Sequence, residues 1–525
     1  MPQQHSLWSR FQNYFLAYED ISFSLDISRM NFEDSFFQQM EPKISKAYEQ
    51  MKALEEGAIA NPDENRAVGH YWLRNSALAP NSTIKKNIET TFQAIETFAK
   101  KVHRGEIKSP EGSAFKTILL IGIGGSALGP QLVADALGTP QTPLNIYFMD
   151  NTDPNGFDRL FSHLKNRLKE TLVLVISKSG GTKETRNGML ETQAFFRQQN
   201  LPFAAQSVAI TGEGSELDKI AIKEKWLARF PMWDWIGGRT SVMSAVGLLP
   251  AALQDVSIKE FLAGAAAMDT HTRNPETKKN AAMLLALMWY YSGKGRGEKD
   301  MVILPYSDRL ALFSKYLQQL IMESLGKEKD FDGKVVHQGI AVYGNKGATD
   351  QHAYVQQLRD GLNNFFVTFI EVRKKREGAS PEMEPGVRSG DYLNGFLRGT
   401  RQALYENDRE SITLSIPELN AFQLGALIGL YERTVGFYAS LVNINAYHQP
   451  GVEAGKKAAS RLLQLQEQIL KELKKGHSFT SESLASTLKE NPEEIYHLLV
   501  HLTVNRSEIQ STDFLNPRKA AFFVK

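Results

Sequence analysis

The chain has 525 residues, and its 61 lysines and arginines nearly balance its 59 aspartates and glutamates. With 42% apolar and 23% charged residues, the composition is that of a soluble globular protein of two or three domains and excludes a disordered or fibrous one. A formal net charge of +2 gives no electrostatic argument for nucleic acid or an anionic membrane as the partner, so we expect a small-molecule ligand.

The chain contains no cysteine. This excludes disulfides, thiolate nucleophiles, iron–sulfur clusters and thiolate zinc sites, so any catalysis must depend on oxygen and nitrogen groups. The N-terminal sequence lacks a basic stretch followed by an apolar core, and the longest apolar run, AAMLLALMWYY, is too short to cross a bilayer. We therefore expect a cytoplasmic protein.

Four regions follow one another along the chain. Residues 1–105 are rich in Gln, Glu, Lys and aromatic residues with helical spacing, which predicts an N-terminal helical arm packed on the large domain. Over residues 106–252, short β-branched runs alternate with helical stretches, and a second alternating set occupies residues 253–476. Such alternation is typical of α/β domains with parallel-dominated sheets flanked by helices. Residues 477–525 are predicted to form a helical C-terminal extension.

The first glycine-rich turn lies in KTILLIGIGGSALGP. A predicted strand ends in Gly122, Gly124 and Gly125, and Ser126 stands where a helix would begin, an arrangement that lets an anion approach the backbone. A dinucleotide site is an alternative, because the glycine spacing nearly fits its fingerprint and Asp150 ends the next strand. A tight turn without a ligand is another alternative.

A second turn, SKSGGTKET, follows the apolar run TLVLVIS. Ser177, Lys178, Ser179 and Thr182 place one ammonium group and three hydroxyl groups around two glycines at the predicted start of a helix. Freed backbone N–H groups and the helix dipole favour negative charge there, which predicts a cradle for a small phosphate group. A nucleoside triphosphate is not favoured, because no G-x-x-x-x-G-K-[ST] loop occurs.

A carboxylate lies in an unfavourable position further along the chain. The spacing of apolar residues predicts a helix that Gly326 ends, so Glu323 falls in its last turn, where the helix dipole opposes its negative charge. Gln319 lies one turn earlier on the same face. Such a carboxylate beside a hydrogen-bonding amide is a candidate general base. A surface glutamate paired with Lys327 is the alternative interpretation.

Six blocks in order along the chain resemble the glucose-6-phosphate isomerase family of bacterial type, from about residue 115 to 456. They are GIGGSALG, SKSGGTKET, DWIGGRTSVMSAVG, QLIMESLGK, GATDQHAYVQQLRDG and NAYHQPGVEAGK. The resemblance implies two sugar-isomerase (SIS) domains with the catalytic site between them, and a homodimer. It also implies reversible isomerisation of glucose 6-phosphate and fructose 6-phosphate, a step of glycolysis and gluconeogenesis, without a metal or other cofactor.

The resemblance also implies roles for individual residues. Glu323 matches the base that moves a proton between C2 and C1 through a cis-enediol, and Arg239 matches the cation beside that intermediate. His352 and Lys456 match the pair associated with ring opening, the histidine entering the site of the neighbouring subunit. The positions that match substrate contacts are Gly125, Ser126, Ser177, Lys178, Ser179, Thr182, Gln319 and Gln449.

Two other functions remain open from the sequence. A sugar-phosphate sensor could keep the phosphate cradle without turnover, although the retained catalytic residues argue against it. A nicotinamide oxidoreductase would depend only on the first glycine-rich turn. Thr240, which stands where many relatives have an aromatic residue after GGR, is a departure expected to affect substrate affinity more than reaction type.

Overall fold

The computed structural model describes residues 2–525, except for the side chains of residues 2–6, 453, 454 and 456. The chain forms two compact units, residues 1–448 and residues 449–525. None of the described helices is both long enough and apolar enough to span a membrane.

The N-terminal region contains strands as well as the predicted helices. Its elements are α1 (Pro2–Asn13), β1 (Phe15–Tyr18), β2 (Phe23–Arg29), α2 (Ser35–Glu55) and α3 (Ser82–His103). β1 and β2 form an antiparallel hairpin, and β2 is almost wholly buried because it joins the second sheet of the molecule. The region predicted as a helical arm thus also supplies two strands of that sheet, of which β1 is at the edge.

The first α/β region is built on a five-stranded sheet. Its elements are β3 (Thr117–Ile121), α4 (Leu128–Leu137), β4 (Asn145–Met149), α5 (Pro154–Leu164), β5 (Thr171–Ser177), α6 (Lys183–Gln198), β6 (Ser207–Thr211), α7 (Glu216–Lys223), β7 (Ala228–Pro231) and α8 (Ala245–Leu253). The strands are parallel in the order β4-β3-β5-β6-β7. β3 and β5 are buried along their whole length, as expected for continuous apolar runs covered by helices on both faces. Their carboxyl ends, which carry the two glycine-rich turns, are adjacent.

The second α/β region is built on a six-stranded sheet in the order β1-β2-β15-β12-β8-β11. Its elements are α9 (Ile258–Thr272), α10 (Ala281–Ser292), β8 (Asp300–Pro305), α11 (Phe313–Leu317), β9 (Lys327–Lys329), β10 (Val335–Gln338), β11 (Val342–Tyr343), α12 (Val355–Asp360), β12 (Phe365–Val372), β13 (Glu382–Glu384), β14 (Val387–Arg388), α13 (Ser389–Tyr405), β15 (Ser411–Ile416) and α14 (Ala421–Leu441). β15, β12, β8 and β11 are parallel, and the N-terminal hairpin adds to β15 in the antiparallel sense. The predicted α/β class with two parallel-dominated sheets is confirmed.

The C-terminal unit has its own apolar core. It consists of α15 (Pro450–Leu473), α16 (Ser481–Leu488), α17 (Pro492–Asn505), β16 (Ile509–Ser511) and β17 (Phe522–Val524). Leu465, Ile469 and Leu473 of α15 are buried with Leu484 and Leu499 of the two following helices. This shared core explains why the compact unit begins at residue 449, whereas the predicted extension begins at residue 477.

A buried network of charged side chains connects the helices α2, α9 and α14 with the segment that carries Arg74. Arg74 donates to the carboxylates of Asp269 and Glu432, and Arg433 donates to Asp269 and to Glu55 of α2. Both arginines are entirely shielded from solvent. Asp269 on α9 therefore compensates two buried guanidinium groups at once, and buried charges are tolerated only when they are paired in this way.

We expect Asp269→Asn to lower the free energy of unfolding by about 3–5 kcal/mol, because it leaves two buried guanidinium groups undercompensated. Urea unfolding followed by tryptophan fluorescence measures this, since all six tryptophans lie in the first unit. Glu377→Gln is the control: Glu377 pairs with Lys374 but its side chain is 83% exposed, so its loss should cost at most about 1 kcal/mol. Equal effects of the two substitutions would show that the buried network does not stabilise the unit.

Candidate active site

The turn after β3 lies directly against a second glycine turn. A methyl group placed on Gly125 would meet the carbonyl oxygen of Gly238 at 2.0 Å, so the two backbones are in contact. The Ser241 hydroxyl group donates to the carbonyl oxygens of Gly125 and Gly238, at 3.3 Å and 2.7 Å. Gly124 has a φ of +59°, which glycine adopts without strain. This contact fixes the position of the segment that carries Arg239.

The turn after β5 arranges its hydroxyl groups at the start of α6. Ser177 Oγ accepts from the N–H of Gly180 at 3.1 Å, and Ser179 Oγ accepts from the N–H of Gly181 at 3.2 Å. Thr182 precedes α6 without capping it through its side chain, and its Oγ1 accepts from Ser177 Oγ at 3.4 Å. The three hydroxyl groups and the helix N-terminus together can bind a small anion.

Lys178 of the same turn is hydrogen-bonded to the segment that precedes Arg239. Its Nζ donates to the carbonyl oxygens of Asp234 and Ile236, at 3.0 Å and 3.1 Å. Burial lowers the pKa of Lys178, and the nearby Arg66 guanidinium group lowers it further. From the sequence we predicted that this ammonium group and the three hydroxyl groups bind the same phosphate group. The structure connects this turn, through Lys178, to the segment that leads to Arg239, and binding of the phosphate group by Lys178 stays a prediction.

Arg239 and Glu323 form the charged centre of the site. Arg239 Nη1 lies 3.3 Å from Glu323 Oε1, and its Nη2 donates to the carbonyl oxygens of Ala446 (2.6 Å) and His448 (3.0 Å). The Arg239 side chain is 5% exposed and that of Glu323 is 18% exposed. Burial lowers the pKa of Arg239, whereas the Glu323 carboxylate opposes this change. The arrangement places a carboxylate beside a fixed guanidinium group.

Glu323 ends a π-helix, Gln318–Glu323, that follows α11. The sequence predicted a regular helix there, whereas the wider π-turn is a local feature that often occurs at functional sites. Gln319 lies in the same turn. A methyl group on Gly124 would be 3.1 Å from Gln319 Nε2, so the amide reaches the turn after β3. The base, the amide and the first glycine-rich turn are thus brought together.

From the sequence we assigned no role in the site to Asp63 or His448, and we considered Lys327 only as a surface partner of Glu323. The Lys327 ammonium group is buried and donates to the main-chain carbonyl oxygen of Glu323 at 2.7 Å, and not to its carboxylate as a surface pair would. His448 Nε2 lies 3.7 Å from the carboxylate of Asp63, in the segment after α2. Only tertiary contact brings residues 63, 327 and 448 together, so no local spacing could have shown them.

The structure describes the predicted site residues His352, Lys456 and Gln449 to different extents. His352 is exposed at the end of a 3₁₀ helix, Thr349–His352, and no described hydrogen bond or ion pair connects it to Glu323 or Arg239. The side chain of Lys456 lies outside the described residues. Gln449 begins the second compact unit, as the N-cap of α15.

Comparisons with known proteins show what this chain is similar to. The family model described as phosphoglucose isomerase matches residues 26–390 and 397–485. A glucose-6-phosphate isomerase of Trichormus variabilis is 61% identical over 95% of this chain and 96% of that protein. One from Synechococcus elongatus is 60% identical over 97% of both chains. The crystal structure of a glucose-6-phosphate isomerase from Chlamydia trachomatis superposes with a TM-score of 0.80 at 27% identity, covering 87% of this chain and 91% of that one.

We expect Gly125→Ala to destabilise the first unit by about 1–3 kcal/mol, because the added methyl group meets backbone that cannot rotate away. Thermal unfolding measures the change. Gly237→Ala is the matched control: its φ of −72° suits alanine, and its methyl group would meet only the Thr240 hydroxyl group at 3.4 Å, an ordinary contact. A Gly125→Ala protein as stable as the control would mean that the two turns are free to separate.

Proposed function

This chain belongs to the phosphoglucose isomerase family, and from that membership we propose that it interconverts glucose 6-phosphate and fructose 6-phosphate in the cytoplasm. The observation that carries the proposal is the contact between Glu323 and Arg239, a carboxylate and a buried cation 3.3 Å apart. An aldose and its 2-ketose differ by one proton at C2 or C1 and by the position of the carbonyl group. One base and one fixed cation can perform that exchange.

The phosphate group of the substrate would bind at the turn after β5. The hydroxyl groups of Ser177, Ser179 and Thr182 and the N-terminus of α6 offer hydrogen-bond donors to its oxygens. Gly125 and Ser126 approach from the adjacent turn after β3. Lys178 contributes by holding the segment 234–236, so binding at the cradle and the position of Arg239 depend on one another. Remote binding energy of this kind positions the reacting carbons.

Glu323 would take the proton from one carbon and return it to the other through a cis-enediol. Negative charge develops on the substrate oxygens during this transfer, and Arg239 stabilises it. The carbonyl oxygens of Ala446 and His448 hold the guanidinium group in place before the substrate binds. Such a cation needs little reorganisation during the reaction. Gln319, against the turn after β3, can donate to a substrate oxygen.

Ring opening would require a proton donor and acceptor, the roles we propose for His352 and Lys456, with Gln449 as a further substrate contact. His352 stands on a firmly held loop: the buried Asp350 carboxylate accepts from the N–H groups of Asn345 and Lys346 and from the Tyr354 hydroxyl group. An exposed histidine on such a loop, without a described bond to Glu323 of its own chain, supports a homodimer in which each histidine completes the partner's site.

Incubation of the purified full-length protein with fructose 6-phosphate, without added cofactor or metal, tests the proposed reaction. Glucose 6-phosphate should appear until the two sugars reach equilibrium. Calorimetric binding of fructose 6-phosphate with no product formed would instead support a sensor. Product that forms only after a nicotinamide is added would contradict the isomerase.

We expect Glu323→Gln to lower kcat by about 10²–10⁴-fold with little change in KM, because the amide keeps the shape of the side chain but cannot accept the proton. Steady-state kinetics measure both constants. Glu328→Gln, on the exposed face of β9, is the control and should retain normal kinetics. A Glu323→Gln enzyme with a near-normal kcat would remove Glu323 from the mechanism.

The shared site predicts that two inactive variants restore activity when they are combined. Glu323→Gln and His352→Ala homodimers should each be nearly inactive, whereas a mixed dimer has one doubly damaged site and one intact site. Mixed dimers purified through two different affinity tags should recover up to about half of the normal activity, if the sites act independently. If His352 acted within its own chain, both sites would be damaged and the mixed dimers would stay inactive.

A further inference from the structure

Lys327 holds the end of the π-helix that carries Glu323. It is the first residue of β9, its side chain is buried, and its Nζ donates to the Glu323 carbonyl oxygen at 2.7 Å. No carboxylate among the described residues forms an ion pair with it. Glu323 is therefore held at two points by two cations: Arg239 contacts its carboxylate and Lys327 contacts its main chain.

This is an unfavourable place for a lysine unless its charge has a function. A buried ammonium group loses its hydration and is normally paired with a carboxylate. Here the positive charge of Arg239 repels it, and the carboxylates of Glu323 and Asp63 only partly compensate. Burial and Arg239 together lower the pKa of Lys327 to about 7. A charge-assisted hydrogen bond to a carbonyl oxygen is, however, stronger than one from a neutral donor.

We propose that Lys327 is a positioning residue for the base, whose ammonium group holds the Glu323 carbonyl oxygen and so fixes the Glu323 carboxylate against Arg239. The inference rests on the proposed isomerase function. Because a displacement of about 1 Å at a reacting group can lower a rate about 10²-fold, loss of this hydrogen bond should act on kcat. Lys327 itself does not touch the substrate in this account.

The groups around Lys327 determine whether its contribution to activity rises or falls as the pH increases. The charged and titratable groups that face it are Arg239, Glu323, Asp63 and His448. Burial lowers the pKa of His448, and the Lys327 ammonium group lowers it further. Lys327 carries its proton below pH 7 and loses it as the pH rises through that value. The part of the activity that depends on the Lys327 ammonium group should therefore be fully present below about pH 7 and should decline above it.

Three variants of the full-length enzyme test the proposal. Lys327→Met should lower kcat about 10–100-fold with KM nearly unchanged, and Lys327→Arg, which keeps a donor and a permanent charge, should restore most of the rate. The Lys327→Arg enzyme should also lose the decline of kcat above pH 7. Lys329→Met, two residues further along β9 and exposed, is the matched control and should behave as the wild type.

A purely structural role would lower the thermal midpoint of Lys327→Met but leave kcat per folded site and the pH profile unchanged, and this result would overturn the proposal. If Lys327→Met does not fold, the pH dependence of kcat for Lys327→Arg tests the inference. A decline of kcat above pH 7 identical to that of the wild type would contradict it. If the wild-type enzyme isomerises the sugar and Lys327→Met has the same kcat and pH profile, only this inference is refuted. Wild-type enzyme without isomerase activity refutes the proposed function as well.

Discussion

The site depends on one buried guanidinium group. Arg239 is almost completely shielded from water, and its donors are directed to the carbonyl oxygens of Ala446 and His448 and to the Glu323 carboxylate. A buried cation is tolerated only when such partners surround it. Three distant segments, the glycine turn that carries Arg239, the π-helix and the residues before α15, must therefore meet at this point. The Arg239 guanidinium group, whose hydrogen bonds and ion pair hold these segments together, is also the cation that the proposed chemistry requires.

Backbone contacts and hydrogen bonds fix the two glycine-rich turns relative to the segment that carries Arg239. The turn after β3 touches the turn that carries Arg239 at Gly125, while Lys178 of the turn after β5 holds residues 234–236 of the same segment. Both connections are made at the carboxyl ends of neighbouring parallel strands, where α/β proteins place their ligand sites. The family's reaction and the geometry of this sheet edge are therefore consistent with each other.

Local sequence was sufficient for some of these features and not for others. Residue type and spacing were sufficient to predict the strands that end before Gly122 and at Ser177, and the helix that begins after Thr182. The strands β1 and β2 were not predicted, because β1 pairs with β2, and the pairing of β2 with β15 spans most of the chain. The direction of Lys178 and the burial of Lys327 depend on residues that only the fold brings near. Isolated lysines in a sequence carry no such information.

The central claim, that one base transfers a proton between C2 and C1, is tested most directly by nuclear magnetic resonance of the wild-type reaction in deuterium oxide. The account predicts that deuterium enters C2 of glucose 6-phosphate and a single position at C1 of fructose 6-phosphate, because the proton on Glu323 exchanges with solvent during the lifetime of the enediol. Interconversion of the sugars at the full rate, with C1 and C2 still carrying only their original hydrogen after prolonged equilibration, would contradict it. Such a result would mean that the hydrogen moves directly between the carbons as hydride.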